Sequence, residues 1–248
     1  MIKLVDVYKS FGAKKVLQGF TLDVDEGETM VIIGYSGSGK SVAIKHIVGL
    51  LDPDSGTVFV DNKEVPKLSR PELYDLRSQV GYVFQFAALF DSMSIGDNVA
   101  MGLRKEHKLS EEEIATRVSE SLALVDLPGV ESKMPAELSG GMRKRVGIAR
   151  AIARRPKYIL YDEPTTGLDP VVADSIDRLI IGIRERLKVT TVAVTHDMRS
   201  AGRIGQRILM LYHGQIHFAG TPDEVFKSAD PIVHRFVNGI ADPKEHNF

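Results

Sequence analysis

Gly34-Tyr35-Ser36-Gly37-Ser38-Gly39-Lys40-Ser41 fits the spacing G-x-x-x-x-G-K-S/T. The glycines let the backbone curl so that its N–H groups converge on one centre, and the helix that starts there adds its positive end. Lys40 is placed to reach phosphate oxygens, and the Ser41 hydroxyl to meet a divalent cation. Four specified positions at ordinary residue frequencies give a chance match in about 1% of chains this long. The surroundings lower that further. Thr29 to Ile33 is a short apolar run that reads as a buried strand, and Val42, Ile44, Ile47, Val48 and Leu51 follow at mainly helical spacing. Pro53 and Gly56 then break the helix.

Outward from this loop, strands and helices alternate. Residues 2–8 and 20–24 alternate apolar and polar, as half-buried strands do. Further strands are predicted at 79–84, 157–161, 190–194 and 207–211, with helices at about 110–126, 140–154 and 171–187. Ser110 followed by three glutamates is a capping residue with an acidic first turn. The stretch 86–156 is almost entirely helical, which predicts an α/β core with an inserted helical subdomain.

The chain has 248 residues, 43% hydrophobic and 26% charged, enough apolar content for a core. Its 32 basic and 33 acidic residues leave a net charge of −1, so no basic field draws it to nucleic acid. No cysteine is present, which excludes a disulfide scaffold, a thiolate zinc site and a cysteine nucleophile. The N-terminus reads as a strand, not as a leader peptide. The apolar runs fall far short of the ~20 residues needed to cross a bilayer, so the chain is expected in the cytoplasm, with any membrane role exerted through a partner.

Two more stretches carry chemistry. Lys157-Tyr158-Ile159-Leu160-Tyr161-Asp162-Glu163 is an apolar strand ending in two carboxylates. Asp162 is placed to hold Mg²⁺ and Glu163 to polarise an attacking water. Leu138-Ser139-Gly140-Gly141-Met142 opens a helix with a capping serine and two glycines; by itself this reads as a simple helix start, and beside the first loop as a second anion site about 100 residues away. The basic residues after it, Arg143, Lys144, Arg145 and Arg150, read as a solvated face.

In this order the motifs resemble the ABC ATPases, and the resemblance covers nearly the whole chain. It implies a P-loop NTPase core with a mixed sheet, an N-terminal antiparallel β subdomain and an inserted helical subdomain. It is read as one domain, with the catalytic core at about 1–85 and 157–228, the helical subdomain at about 86–156 and a C-terminal tail at 229–248. By resemblance Gly34 to Val42 contact ATP, Phe11 stacks on adenine, and Gln85 senses Mg²⁺ and the membrane partner. Ser41, Gln85 and Asp162 hold Mg²⁺, while Asp169 and His196 belong to the loops after the carboxylate strand and the next strand. His196 contacts the γ-phosphate, and Glu163, His196, Gln85 and Lys40 serve hydrolysis. Ser139, Gly140 and Gly141 act on the nucleotide of a second copy in a head-to-tail pair. Met142 replaces the family's usual glutamine, and Tyr35 stands where proline is common.

Within the family the chain looks like the Mla/Mce-type lipid-transport ATPases. The cues are Phe84-Gln85-Phe86-Ala87-Ala88-Leu89-Phe90-Asp91-Ser92-Met93, the signature ending in Met142, and Phe236 to Asp242. That implies phospholipid movement between two bacterial membranes and attachment to the cytoplasmic face of the inner membrane through permease subunits. In some members it implies Mce-domain and STAS-domain partners. An importer for another cargo, such as polar amino acids, and a non-transport ATPase share the catalytic motifs. The surface from Phe86 to Met93 is the expected docking site, with burial in the helical subdomain as the competing expectation. Residues 230–240 are expected to form a short amphipathic helix and 242–248 a frayed polar end, with the tail reaching a neighbouring copy.

Overall fold

Strands β1 (Ile2–Phe11) and β2 (Lys14–Val24) form a hairpin whose inward side chains, Ile2, Leu4, Val7, Phe20, Leu22 and Val24, are buried. The pairing slips between Leu4 and Val7, where Asp6 has a φ of 50°. This bulge turns the later residues back onto the core face. The computed structural model describes residues 1–241. They divide into two units: one of Met1–Leu76 with the segment from Thr190 onward, the other of Arg77–Val189. The expectation for 242–248 lies outside the described residues.

In the first unit an antiparallel sheet has the order β2-β1-β4-β5, with β4 (Ser55–Val60) and β5 (Lys63–Glu64). β4 and β5 are not among the strands the sequence predicts, since Gly56 signals only the end of a helix. The hairpin signal lay in Asp61-Asn62, both left-handed at φ 49° and 62°, between apolar alternation and a polar return. Strand β2 begins earlier than expected because Lys14 and Lys15 sit exposed at its open end.

A second, mixed group of strands in this unit centres on β3 (Thr29–Ile33), every residue buried. It pairs in parallel with β8 (Thr190–Thr195) and β9 (Arg207–Tyr212), and β10 (Gln215–Gly220) returns antiparallel to β9. The edge strand β10 was not anticipated. Helices α1 (Lys40–Ile47), α7 (Met198–Ile204), α8 (Pro222–Phe226) and α9 (Pro231–Val237) complete the unit. Helix α2 (Arg70–Ser78) carries the chain out of it; with Leu76 its only buried residue, it left no apolar period to read.

The second unit pairs β6 (Val80–Val83) in parallel with β7 (Tyr158–Asp162). Its helices are α3 (Ile95–Glu106), α4 (Glu111–Leu124), α5 (Gly140–Ile152) and α6 (Pro170–Leu187). Ser110 caps α4 and Glu113 returns the contact, as the sequence motif requires. The α/β core, mixed sheet, antiparallel N-terminal sheet and helical segments agree with the expected class. Among the described residues no helix is long and apolar enough to cross a membrane.

Candidate functional site

The residues expected to meet phosphate fall in the first unit. Strand β3 delivers the chain to Gly34, which has a φ of 152° and lies against β9; a Cβ there would sit 2.4 Å from the Leu211 carbonyl oxygen. Only glycine fits this approach. The loop then turns into α1. The buried Lys40 folds back, its ammonium donating to the carbonyls of Gly34 at 2.9 Å and Tyr35 at 3.1 Å. Ser41 and Val42, half-buried, form the first turn of α1.

The Ser38 hydroxyl is buried and has no hydrogen-bond partner among the described residues. A buried hydroxyl without a partner is costly. A phosphate oxygen at the start of α1 would satisfy it, so the loop fits the group its sequence predicts. A cavity of about 500 Å³ beside the loop is lined by Lys14, Val16, Tyr35, Gly37, Ser38 and Tyr212, among others. The position a Gly37 Cβ would take is 4.0 Å from the Lys14 ammonium. Lys14 is thus a second cation near the loop that motif reading missed, since two lysines at a strand end carry no phosphate signature. Phe11, 49% exposed, does not line this cavity, and Lys9 lies 5.7 Å from its ring centroid.

His196 is brought close to this loop. Ile33 pairs with Thr195, so Gly34 and His196 leave the same end of neighbouring parallel strands. His196 is exposed, and Asp197 after it caps α7 through the amides of Arg199 and Ser200. Tyr35 has a packing role: its ring meets Phe236 of α9 edge-on, centroids 4.9 Å apart. Behind the loop, burial holds the His46 imidazole below its ordinary pKa, and its Nδ1 lies 2.7 Å from the Val42 carbonyl oxygen.

Of the residues expected to handle water and Mg²⁺, Gln85, Asp162 and Glu163 fall in the second unit, while Ser41 lies in the first. Val83 pairs with Tyr161, so Gln85 and Asp162 lie at the same end of β6 and β7. Tyr82 donates its hydroxyl to Asp162 Oδ2 at 3.0 Å. Burial first, then the Asp162 charge, pushes the Tyr82 phenol far above the usual tyrosine range, so it stays a neutral donor. Glu163 is buried with a φ of 50°, and its Oε2 accepts from Thr166 Oγ1 at 3.1 Å. A left-handed backbone at a non-glycine residue costs about 1–2 kcal/mol, so the surrounding contacts must hold it.

The basic face of α5 is only partly solvated, which corrects the sequence expectation: Arg143 is exposed, but Lys144 is buried and Arg145 and Arg150 are half-buried. Lys144 is 6% exposed and donates to the carbonyls of Gln85 and, at 3.3 Å, Glu163. Arg150 donates to the Ala88 carbonyl at 2.7 Å and the Ala87 carbonyl at 2.5 Å. Arg143 bonds the Leu138 carbonyl, and Arg145 the Val125 carbonyl and Asp126. Burial lowers the pKa of both Lys144 and Arg150, Glu163 partly offsetting this at Lys144. Ala87 and Ala88 are both left-handed, φ 60° and 47°, and their carbonyls are the ones Arg150 holds. The cations face main-chain carbonyls, which carry no residue identity, so spacing gave no signal for them.

At the start of α5, Ser139 caps the helix by accepting from the Met142 amide at 3.3 Å, so Met142 contributes through its backbone. Ser139 and Gly140 are exposed and Gly141 half-buried. Asp169 caps α6, accepting from the amides of Val171 and Val172 at 3.0 Å. Among the described residues no three His, Asp or Glu side chains gather as a metal site. In the first unit Ser41 offers a hydroxyl; in the second, Gln85 offers an amide oxygen and Asp162 a carboxylate. Such hard oxygens suit Mg²⁺ that also binds phosphate and water.

Residues 17–166 match the family described as ABC transporter. The chain is 41% identical over 238 residues to the "probable ribonucleotide transport ATP-binding protein mkl" of Mycobacterium leprae, covering 96% of this chain and 69% of that protein. It is 40% identical over 259 aligned residues to the Arabidopsis thaliana protein "TRIGALACTOSYLDIACYLGLYCEROL 3, chloroplastic", covering 98% and 74%. Among solved structures it resembles a dimeric ATP-binding cassette in a post-hydrolysis state bound to ADP and Pi. There the TM-score is 0.82 and the identity 35%, over 90% of this chain and 99% of that one.

Proposed function

The chain belongs to the ABC transporter ATP-binding family, and on that premise we propose that it hydrolyses ATP to power a membrane transporter of phospholipid. Lys40, Ser38 and the 34–41 backbone bind the phosphates, Phe11 stacks on adenine, and His196 contacts the γ-phosphate. Ser41, Gln85 and Asp162 hold Mg²⁺, which neutralises charge on the phosphate oxygens when bound. Glu163 accepts a proton from water as the water oxygen bonds to the γ-phosphorus and the bond to the β-phosphate oxygen breaks. ADP and phosphate leave. Two copies work head to tail, Ser139, Gly140 and Gly141 of each meeting the nucleotide of the other. ATP then acts as interface glue and hydrolysis loosens the pair.

The observation that carries the transport reading is the apolar surface after β6. Phe86 is 79% exposed and Phe90 51%, with Phe84 and Met93 also exposed. This is surface, not helical core, and it adjoins Gln85. Three exposed aromatics within seven residues, Phe84, Phe86 and Phe90, suit docking to a protein partner; the partner proposed is a permease. Burying one such ring is worth about 1.5–3 kcal/mol. Phe86→Asp should therefore weaken permease capture roughly 10- to 100-fold, with thermal unfolding as the folding control. Unchanged capture would remove the docking surface.

Cargo is the finer step. The glycerolipid in the name of the Arabidopsis relative supports a lipid, while the mycobacterial relative is named for ribonucleotides. The deciding experiment purifies a Glu163→Gln chain from detergent-solubilised membranes, with mass spectrometry of proteins and lipids. A permease, an Mce-domain protein and phospholipid are the expected result. A permease with a periplasmic solute-binding protein would overturn the lipid cargo. No membrane protein at all would overturn transport.

A further inference from the structure

We propose that Lys144 is a positioning residue for ATP hydrolysis: it ties the Gln85 loop and the Glu163 turn to one helix, so that they move as a unit. The proposal rests on the ATPase reading above. Lys144, Gly147 and Arg150 recur at three-residue spacing along α5, and all three face the chain after β6. The Lys144 ammonium donates to the main-chain carbonyls of Gln85 and Glu163 at once. A Cβ at Gly147 would stand 3.1 Å from that of Ala87, so the missing side chain lets the loop press on the helix. Arg150 then holds the carbonyls of Ala87 and Ala88.

An ammonium buried against neutral carbonyls is a poor way to stabilise a fold. Desolvation penalises the charge, and an apolar residue of similar size would serve stability as well or better. What the ammonium does that an apolar side chain cannot is bond two separate segments at once. One of them carries Gln85; the other carries Glu163, whose left-handed backbone needs holding. The helix bearing Lys144 opens at Ser139, the exposed end proposed to meet a second copy's nucleotide. A shift of that end would be passed through Lys144 to Gln85 and Glu163 of the same chain.

The test uses Lys144→Met and Lys144→Arg in the full-length chain and in the transporter complex purified with it. For Lys144→Met, kcat for ATP should fall about 100-fold, the scale of an ångström misplacement. KM for ATP should stay within about twofold, marking a loss confined to the transition state. Lys144→Arg, which can still donate to both carbonyls, should recover much of the rate. Hydrogen exchange gives a readout that needs no turnover. The amides of Ala87 and Thr166 are bonded within their own turns, to Phe84 and Glu163. Lys144→Met should accelerate both together while leaving the amides of 34–41 unchanged. An unchanged kcat, a raised KM at unchanged kcat, or faster exchange in only one segment would overturn the proposal. Absence of ATP binding by the unsubstituted chain would instead overturn the ATPase reading, with the exchange measurement still deciding whether Lys144 joins the two segments.

Discussion

A Glu163→Gln chain is expected to bind ATP and hydrolyse it about 100- to 10,000-fold more slowly, the range lost when a positioned general base is removed. The substitution leaves the local structure able to form. Glu163 Oε2 accepts from the Thr166 hydroxyl, and a glutamine amide oxygen can accept the same bond. The Glu163 carbonyl, held by Lys144, is untouched. What disappears is the negative charge that takes the proton from water. Single-turnover release of ADP measures the rate, and calorimetry measures the ATP affinity, which should stay within about threefold because the loss lies in the transition state. With hydrolysis blocked, the nucleotide-glued pair should accumulate, and light scattering in saturating ATP should report twice the monomer mass. An unchanged rate would remove Glu163 as the base. A chain that stayed monomeric in ATP, even with its membrane partner present, would count against the head-to-tail clamp.

The parts of the site that were legible in the sequence are those where chemistry restricts residue type. A loop that curls under β9 must have glycine at Gly34. A helix start that leaves amides for an anion favours Ser139 with glycines after it. A strand buried on both faces, such as β3, shows as an apolar run, Met30 to Ile33. The contacts made to backbone atoms were not legible. Lys144 and Arg150 read as solvated charge because their partners, the carbonyls of Gln85, Glu163, Ala87 and Ala88, look alike in any sequence. The Tyr35–Phe236 contact joins residues about 200 positions apart, and no local pattern announces it. Helix α2 and the short hairpin β4–β5 escaped because one buries a single residue and in the other Gly56 signals only the end of a helix.

Gly34→Ala is expected to reduce ATP affinity by about 100-fold or more, because it displaces the loop that binds phosphate. The added Cβ would lie 2.4 Å from the Leu211 carbonyl oxygen and 2.9 Å from the Ser38 hydroxyl. Leu211 is buried in β9, paired on one side with β10. Its carbonyl cannot retreat without disturbing the sheet, so the loop must move instead. That shift also drags the Gly34 carbonyl to which Lys40 donates. Overpacking of this kind costs about 1–3 kcal/mol of stability, readable as a lower urea midpoint at unchanged slope. Gly182→Ala separates this effect from a general intolerance of alanine. Gly182 lies inside α6 with nothing within 4 Å of the position its Cβ would take. There alanine should add about 0.5–1 kcal/mol through helix propensity and leave ATP affinity unchanged. If Gly34→Ala bound ATP as tightly as Gly182→Ala, the close approach to Leu211 would not be what shapes the phosphate loop.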